Sequence, residues 1–513
     1  MQALQPYSVT APGFFGLNLE DSPTDLQSGY ALIAQNCIID QYGRVGARKG
    51  WTKVNTASGT LGSNAVEAIG EHTANDGTST TIVAGNNKIF KLSGTSLVEL
   101  TYGGGGVAPT ITASNWSMVS LDGYFIMFQI GHDPLVYIPT VSTTEYRRLS
   151  EATGYAGTVQ LANVGISAFG RVWNAVTTTD KVTIQWSDTK NPVKWNTGTA
   201  GTLDLTSVWP SGGDVIVGLA AHNNRLFIFG KQHILIYKDA STPSTMTLED
   251  AVNGIGAVGR DSIADTGTDV IFLSRTGVRS LARTIQEKSA PIRDISKNVR
   301  TQVIQYTQLE DENKILSTWN PVEAFYLLHF PTYNITYCFD TKQTLQDGSA
   351  RVTTWTGVNP TALFSKVDGT LLIGKVGYVG TYSSYLDDTT AYRMMYYTTY
   401  TDFGSPLATS MLKKIGVVVI GGSDQVITTK WGYDYAVTYQ SQQDVTKYEG
   451  PVGEYGIGEY GSAEYSSGLV INILKYQAGG SGKVAQVGIE TDIAGASLSI
   501  QKLEIYAKQG KLA

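Results

Sequence analysis

AAHNNRLFIFGKQHILIYK, residues 220–238, is the clearest copy of a phrase that recurs along the chain. Ala220–Gly230 reads as a first strand carrying a tight polar tip, and HILIYK follows as a second strand ending in an aromatic. The same phrase recurs at Ser120–Ile130 (SLDGYFIMFQI), Ser167–Thr177, Asp265–Arg275, Asn320–Phe330 (NPVEAFYLLHF) and Ser365–Lys375. Second strands stand in NNKIFKLSG, DPLVYIPT, KVTIQWSDT, YNITYCFDT and VGYVGTYSS. With Phe90, Tyr137, Trp186, Tyr237, Leu281, Tyr337 and Gly380 as markers, the steps are 47, 49, 51, 44, 56 and 43 residues. A loose period near ~45 residues, all strand and turn, is that of a β-propeller blade. One such unit cannot bury both of its faces, so the units must stack around an axis.

The reading is therefore all-β: a β-propeller of six or seven blades over 56–385, an N-terminal docking segment over 1–55 and a C-terminal β-sandwich-like domain over 386–513. Composition agrees, with 56 Gly, 29 Tyr and only 16% charged residues among 513. Gly, Ser, Thr, Asn and Asp punctuate Val/Ile/aromatic runs, and helical periodicity is hard to find. After Leu386 the strands lengthen and several alternate apolar with polar residues, as in QVITTKWGYDYAVTY, which is how half-buried strands read.

A formal charge of −6 argues against a protein that grips nucleic acid through a basic face. Cys37 and Cys338 stand in apolar runs without metal-ligand spacing, so both are expected as buried free thiols, suited to a reducing cytoplasm. No apolar stretch approaches eighteen residues and no basic-then-apolar start is present, which predicts neither membrane insertion nor a secretory signal.

Enzyme signatures are absent. His72, His132, His222, His233 and His329 fall on turns or strand starts of different units, with no H-E-x-x-H or G-x-S-x-G phrase. AGGSGKV (478–484) lacks both the first Gly of a phosphate loop and its Ser/Thr, because Val484 stands there. The expectation is no catalytic residue, no metal and no cofactor. Two stretches remain as candidate contact sites. Arg44, Arg48, Lys49 and Trp51 form a basic cluster suited to docking on an acidic neighbour, with a solvated turn as the plainer reading. GEYGIGEYGSAEY (453–465) repeats Glu454, Tyr455, Glu459, Tyr460, Glu464 and Tyr465 at five-residue steps, matching neither helix nor strand. It reads as low-complexity drift or as an acidic, aromatic loop at a tip or lumen.

The order of several phrases carries a resemblance. GLNLEDSPTDLQSGYALIAQNCIIDQYGRVGARKGW (16–51), with Gly16, Asn18, Ser22-Pro23, Asn36, Gly43-Arg44, Arg48 and Gly50, resembles the start of tail nozzle proteins of short-tailed double-stranded-DNA bacteriophages. These are also called tail tubular protein B or packaged-DNA stabilisation protein. Arg171, Trp186, Ser187, Pro192 and Trp195 follow at similar stations, then Gly259-Arg260-Asp261 and Phe272–Gly277, then an ending GKVAQVGIETDIAGASLSIQKLEIYAKQGKL. The resemblance implies a structural virion protein, assembled in the host cytoplasm and carried in the tail. It implies a homohexamer below the portal and a tail adaptor (the head-to-tail connector), with tail fibre or needle proteins as further neighbours. Such a ring retains the packaged genome and conducts double-stranded DNA at ejection. The competing reading is a carbohydrate-binding or carbohydrate-active β-propeller.

Overall fold

A computed structural model describes residues 5–112, 116–287, 294–404, 407–447 and 470–512. Among them, seven sheets follow one another around a common axis. Blade 1 is Ala68–Thr73, Ser79–Gly85, Lys88–Ser93 and Ser96–Glu99. Blade 2 is Ser117–Leu121, Tyr124–Phe128, Leu135–Tyr137 and Glu145–Arg148, with Thr101–Tyr102 added in parallel at its edge. Blade 3 is Val164–Ala168, Arg171–Ala175, Thr183–Trp186 and Gly201–Asp204, and blade 4 is Ile216–His222, Arg225–Gly230, His233–Lys238 and Thr247–Asn253. Blade 5 has three strands, Ala264–Asp265, Val270–Ser274 and Gly277–Ser280. Blade 6 is Leu316–Asn320, Phe325–Phe330, Ile335–Thr344 and Ala350–Trp355. Blade 7 takes Ala362–Ser365, Leu371–Gly374 and Val379–Tyr382 from the end of the ring and Trp51–Lys53 from near its start.

The recurring phrase has a finer structure than one strand and a turn. Ala220–Gly230 is not one strand but a hairpin, because Asn223 and Asn224 both take positive φ (48° and 59°) and turn the chain. Two consecutive left-handed residues make the tight turn whose twist matches antiparallel strands, and Asn tolerates that region best after Gly. Each repeat therefore supplies the two innermost strands and a third, so that six of the seven blades reach four strands or more. Leu281, the fifth marker, is not a strand end: it opens a helix, Leu281–Glu287, and a second helix, Arg300–Leu309, follows. That excursion leaves blade 5 short and accounts for the longest step.

Apolar cores lie between neighbouring blades. Ile82, Phe125 and Tyr137 fill the gap between blades 1 and 2, and Trp173, Trp186, Ile228 and Tyr237 fill that between blades 3 and 4. Each large side chain removed from water is worth roughly 1.5–3 kcal/mol, which is what sets the stacking. Cys37 and Cys338 are buried and unpaired.

The C-terminal module is a sandwich of two sheets, and the N-terminal segment is part of it. Blade 6 continues through Gly16–Leu17, Tyr30–Gln35, Tyr392–Thr398, Ala485–Ile493, Val426–Tyr433 and Gln440–Val445 into one ten-stranded sheet. Facing it are Ile471–Gln477, Ala408–Gly421, Leu498–Leu512, Val45–Ala47 and Cys37–Ile39, with Gln5–Thr10 on Leu498–Leu512. Phe14, Leu17, Ala31, Ala34, Ile39 and Val45 join Tyr396, Val417, Ile489 and Leu503 in the shared core. So 1–55 is not a separate segment; its apolar residues lie inside the fold. At Gly16 (φ +79°) a Cβ would stand 2.4 Å from the Val352 carbonyl oxygen, so only glycine lets this strand lie against blade 6.

Trp51 seals the ring: it pairs with Tyr382 across blade 7 and packs among Phe325, Leu327 and Trp355 of blade 6. Trp51→Ala should cost about 3–5 kcal/mol in denaturant unfolding, because the cavity opens at the seam of the ring.

Candidate functional site

The basic cluster read from sequence becomes a junction rather than a patch. Arg48 is fully buried. Its Nη1 and Nη2 donate to Asp387 Oδ1 and Oδ2 at 2.8 and 2.7 Å, a two-pronged match of guanidinium and carboxylate. Nε donates to Asn36 Oδ1 at 3.1 Å, and the remaining contacts go to the carbonyls of Lys49 and Thr356. The Tyr392 ring lies 4.0 Å from the guanidinium carbon, and its hydroxyl donates to the Arg48 carbonyl. Asn36 (φ +55°) completes the set: it accepts Thr356 N–H at 2.9 Å and donates to the Arg393 carbonyl at 2.8 Å. One side chain thus joins the N-terminal segment, the end of blade 6, the exit of blade 7 and the first C-terminal strand. Beside it, a Cβ on Gly50 would stand 1.8 Å from the Leu386 carbonyl oxygen.

The docking expectation is corrected for Arg48 and Trp51, which are internal. Lys49 is partly exposed but holds Glu323 at 2.5 Å, and Arg44 closes the Asp40–Arg44 turn through a 2.9 Å ion pair and lies over Tyr42. Glu454, Tyr455, Glu459, Tyr460, Glu464 and Tyr465 lie outside the described residues.

A second candidate is the propeller axis. A cavity of about 760 Å³ runs among the innermost strands of the blades, lined by Glu67, Trp116, Gly165, Leu219, Leu316 and Phe364 among others. Arg260 crosses its wall: it donates to the carbonyls of Asn163 and, at 2.8 Å, Trp116, while Asp261 holds its other edge at 2.7–2.8 Å. Residues before blade 5 are thereby tied to those before blades 2 and 3. Burial pushes the Glu67 carboxyl up to about 7. The volume suits a small molecule and is far too small for a duplex.

The other phrases of the resemblance also resolve into internal contacts. Arg171 donates to the Ser187 carbonyl at 2.9 Å, Trp186 Nε1 to the Thr199 carbonyl at 2.9 Å, and Trp195 Nε1 to the Pro192 carbonyl at 2.9 Å. His72 faces the Gly123 carbonyl and His329 faces Thr336 Oγ1. Among the described residues no group of His, Cys, Asp or Glu has the arrangement of a metal site, and no helix is long and apolar enough to cross a membrane. Asp387, the partner of Arg48, carried no signal in sequence, since 339 residues separate the two.

No family model and no curated protein matches the chain. Among solved structures, the chain is similar to the Pan2 WD40 domain of Neurospora crassa at 10% identity and TM-score 0.37, over 65% of this chain and 96% of that one. It is also similar to YCF48 from Cyanidioschyzon merolae (11%, TM-score 0.36, 65% and 99% covered). A third likeness is an exo-β-1,3-galactanase from Phanerochaete chrysosporium (10%, TM-score 0.27, 79% and 98%). Likenesses this distant carry no argument about activity.

Arg48→Met strands the Asp387 carboxylate in the junction and should cost about 3–5 kcal/mol in equilibrium unfolding, whereas Arg48→Met with Asp387→Leu should recover most of it. Burial also pushes the His329 imidazole down from 6.5 to about 4. The folded form keeps it neutral while the unfolded chain takes up the proton, so stability falls as pH drops from about 6.5 towards 4. His329→Gln should flatten that slope by up to about 3 kcal/mol, read from denaturant midpoints across the range.

Proposed function

We propose that this chain is a structural subunit of a bacteriophage tail, the nozzle below the adaptor. Six copies would surround a lumen that retains the genome and conducts it at ejection. The observation that carries the reading is where the resembling phrases fall. Gly16, Asn36, Arg48 and Gly50 lie at the junction of propeller and sandwich, and Arg260-Asp261 lies at the axis. A signature made of joints fits a part that must resist mechanical force. The lumen lies between subunits in this reading, because the axial cavity of one propeller is bridged by Arg260 and too small for DNA. Six copies at −6 each carry a formal −36, which suits a wall past which DNA slides. Docking on the adaptor falls to surfaces other than Arg48 and Trp51, and residence in the virion follows from the assembly.

The purified chain should form a ring of six in native mass spectrometry and in averaged electron micrographs, without turnover of glycans. A monomer with a glycan-dependent signal would contradict the proposal.

A further inference from the structure

The loop from blade 3 to blade 4 brings together three residues that no reading so far has used. Ser211 Oγ stands 2.6 Å from His233 Nε2, and His233 Nδ1 stands 2.9 Å from Asp214 Oδ2. Ser211 is exposed, whereas the side chains of His233 and Asp214 are 2% and 3% exposed. We propose that Ser211, His233 and Asp214 form a nucleophilic triad that transfers the acyl group of an ester to water.

The roles follow from the atoms. Asp214 is fixed independently of the histidine: its carboxylate accepts the N–H groups of Val215 at 2.8 Å, Lys231 at 3.1 Å and Gln232 at 2.8 Å. Burial opposes its charge, but the N–H groups and His233 outweigh burial and hold the carboxyl below its usual range. An ionised Asp214 accepts from Nδ1–H, and that fixes the tautomer with Nε2 as the free acceptor. Nε2 is the atom that faces the serine hydroxyl, with Trp209 packed beside the imidazole at 6.1 Å between ring centres. This is the order of contacts by which a triad is recognised, whatever the fold or chain order.

The backbone N–H groups of Ser211 and Gly213 are the donors this turn offers to a developing oxyanion. Gly212 N–H is used in the turn to the Trp209 carbonyl at 3.0 Å. The N–H groups of Ser211 and Gly213 have no partner among the described residues, and Gly213 borders open space. In the first step Ser211 Oγ bonds to the ester carbonyl carbon and its proton passes to His233 Nε2. The C–O bond to the alcohol then breaks and the alkoxide leaves with that proton. In the second step water gives a proton to Nε2 and bonds to the acyl carbon, the bond to Oγ breaks, and Oγ takes the proton back. The sum is ester plus water to acid plus alcohol, and the site is restored. The open position of Ser211 fits an ester presented at a surface.

The test uses the full chain with a fluorophosphonate probe and peptide mass spectrometry, and hydrolysis of p-nitrophenyl acetate as a second readout. The expected result is an adduct on Ser211 that is absent in Ser211→Ala and forms at least about a hundredfold more slowly in His233→Gln. Ester hydrolysis should fall to background in Ser211→Ala, an exposed change that leaves the core untouched. An unlabelled Ser211 in folded protein, equal labelling rates with and without His233, or unchanged hydrolysis in Ser211→Ala overturns the proposal. None of these readouts depends on oligomeric state, so ring formation and triad chemistry stand or fall separately.

Discussion

A guanidinium shut away from water must place its N–H groups on fixed acceptors, and Arg48 does so with acceptors from four parts of the chain. The rest of the architecture depends on that constraint. Asp387 can reach Arg48 only if blade 7 has been laid beside blade 6, and Asn36 only if the N-terminal strands have entered the sandwich. The ion pair is therefore a register mark. Its net contribution to stability is small against two apolar side chains, but its geometry admits one arrangement of ring and sandwich.

The ring closes by chain ends that are far apart in sequence. Trp51–Lys53 completes blade 7, Gly16–Leu17 and Tyr30–Gln35 extend blade 6, and Leu498–Leu512 pairs with both Gln5–Thr10 and Ala408–Gly421. Backbone pairing thereby ties strands from both chain ends into the ring and the sandwich. The proposed lumen, bounded by several such subunits, would then be lined by stiff walls.

Much of the propeller was legible in the sequence because blades are local. Periodic aromatics and Asn-Asn or Asp-Gly tips report hairpins whose partners are a few residues away, as at Asn223-Asn224 and Asp122-Gly123. The long alternating strands after Leu386 were legible for the same reason. The helices at Leu281–Glu287 and Arg300–Leu309 escaped because both are short, and the second is only weakly amphipathic, in an otherwise regular repeat. The place of segment 1–55 in the fold is not legible from sequence, since Arg48 meets Asp387 across 339 residues and Tyr30–Gln35 pairs with Tyr392–Thr398. Arg44, Arg48 and Lys49 looked alike as cations; only the fold distinguishes a buried junction from a turn and a surface pair. Ser211, Asp214 and His233 lie within 22 residues, yet their spacing matches no motif. It is the turn at Ser211–Val215 that aligns them.

Segment 1–55, the propeller and the sandwich form one cooperative unit locked at Arg48. Native-state hydrogen exchange tests this most directly. The amides of Trp51–Lys53 and Tyr30–Gln35 should exchange with the same free energy as those of Phe325–Phe330 in blade 6, all opening only with global unfolding. Exchange of the N-terminal strands at a distinctly lower free energy, with blade 6 still protected, would contradict it.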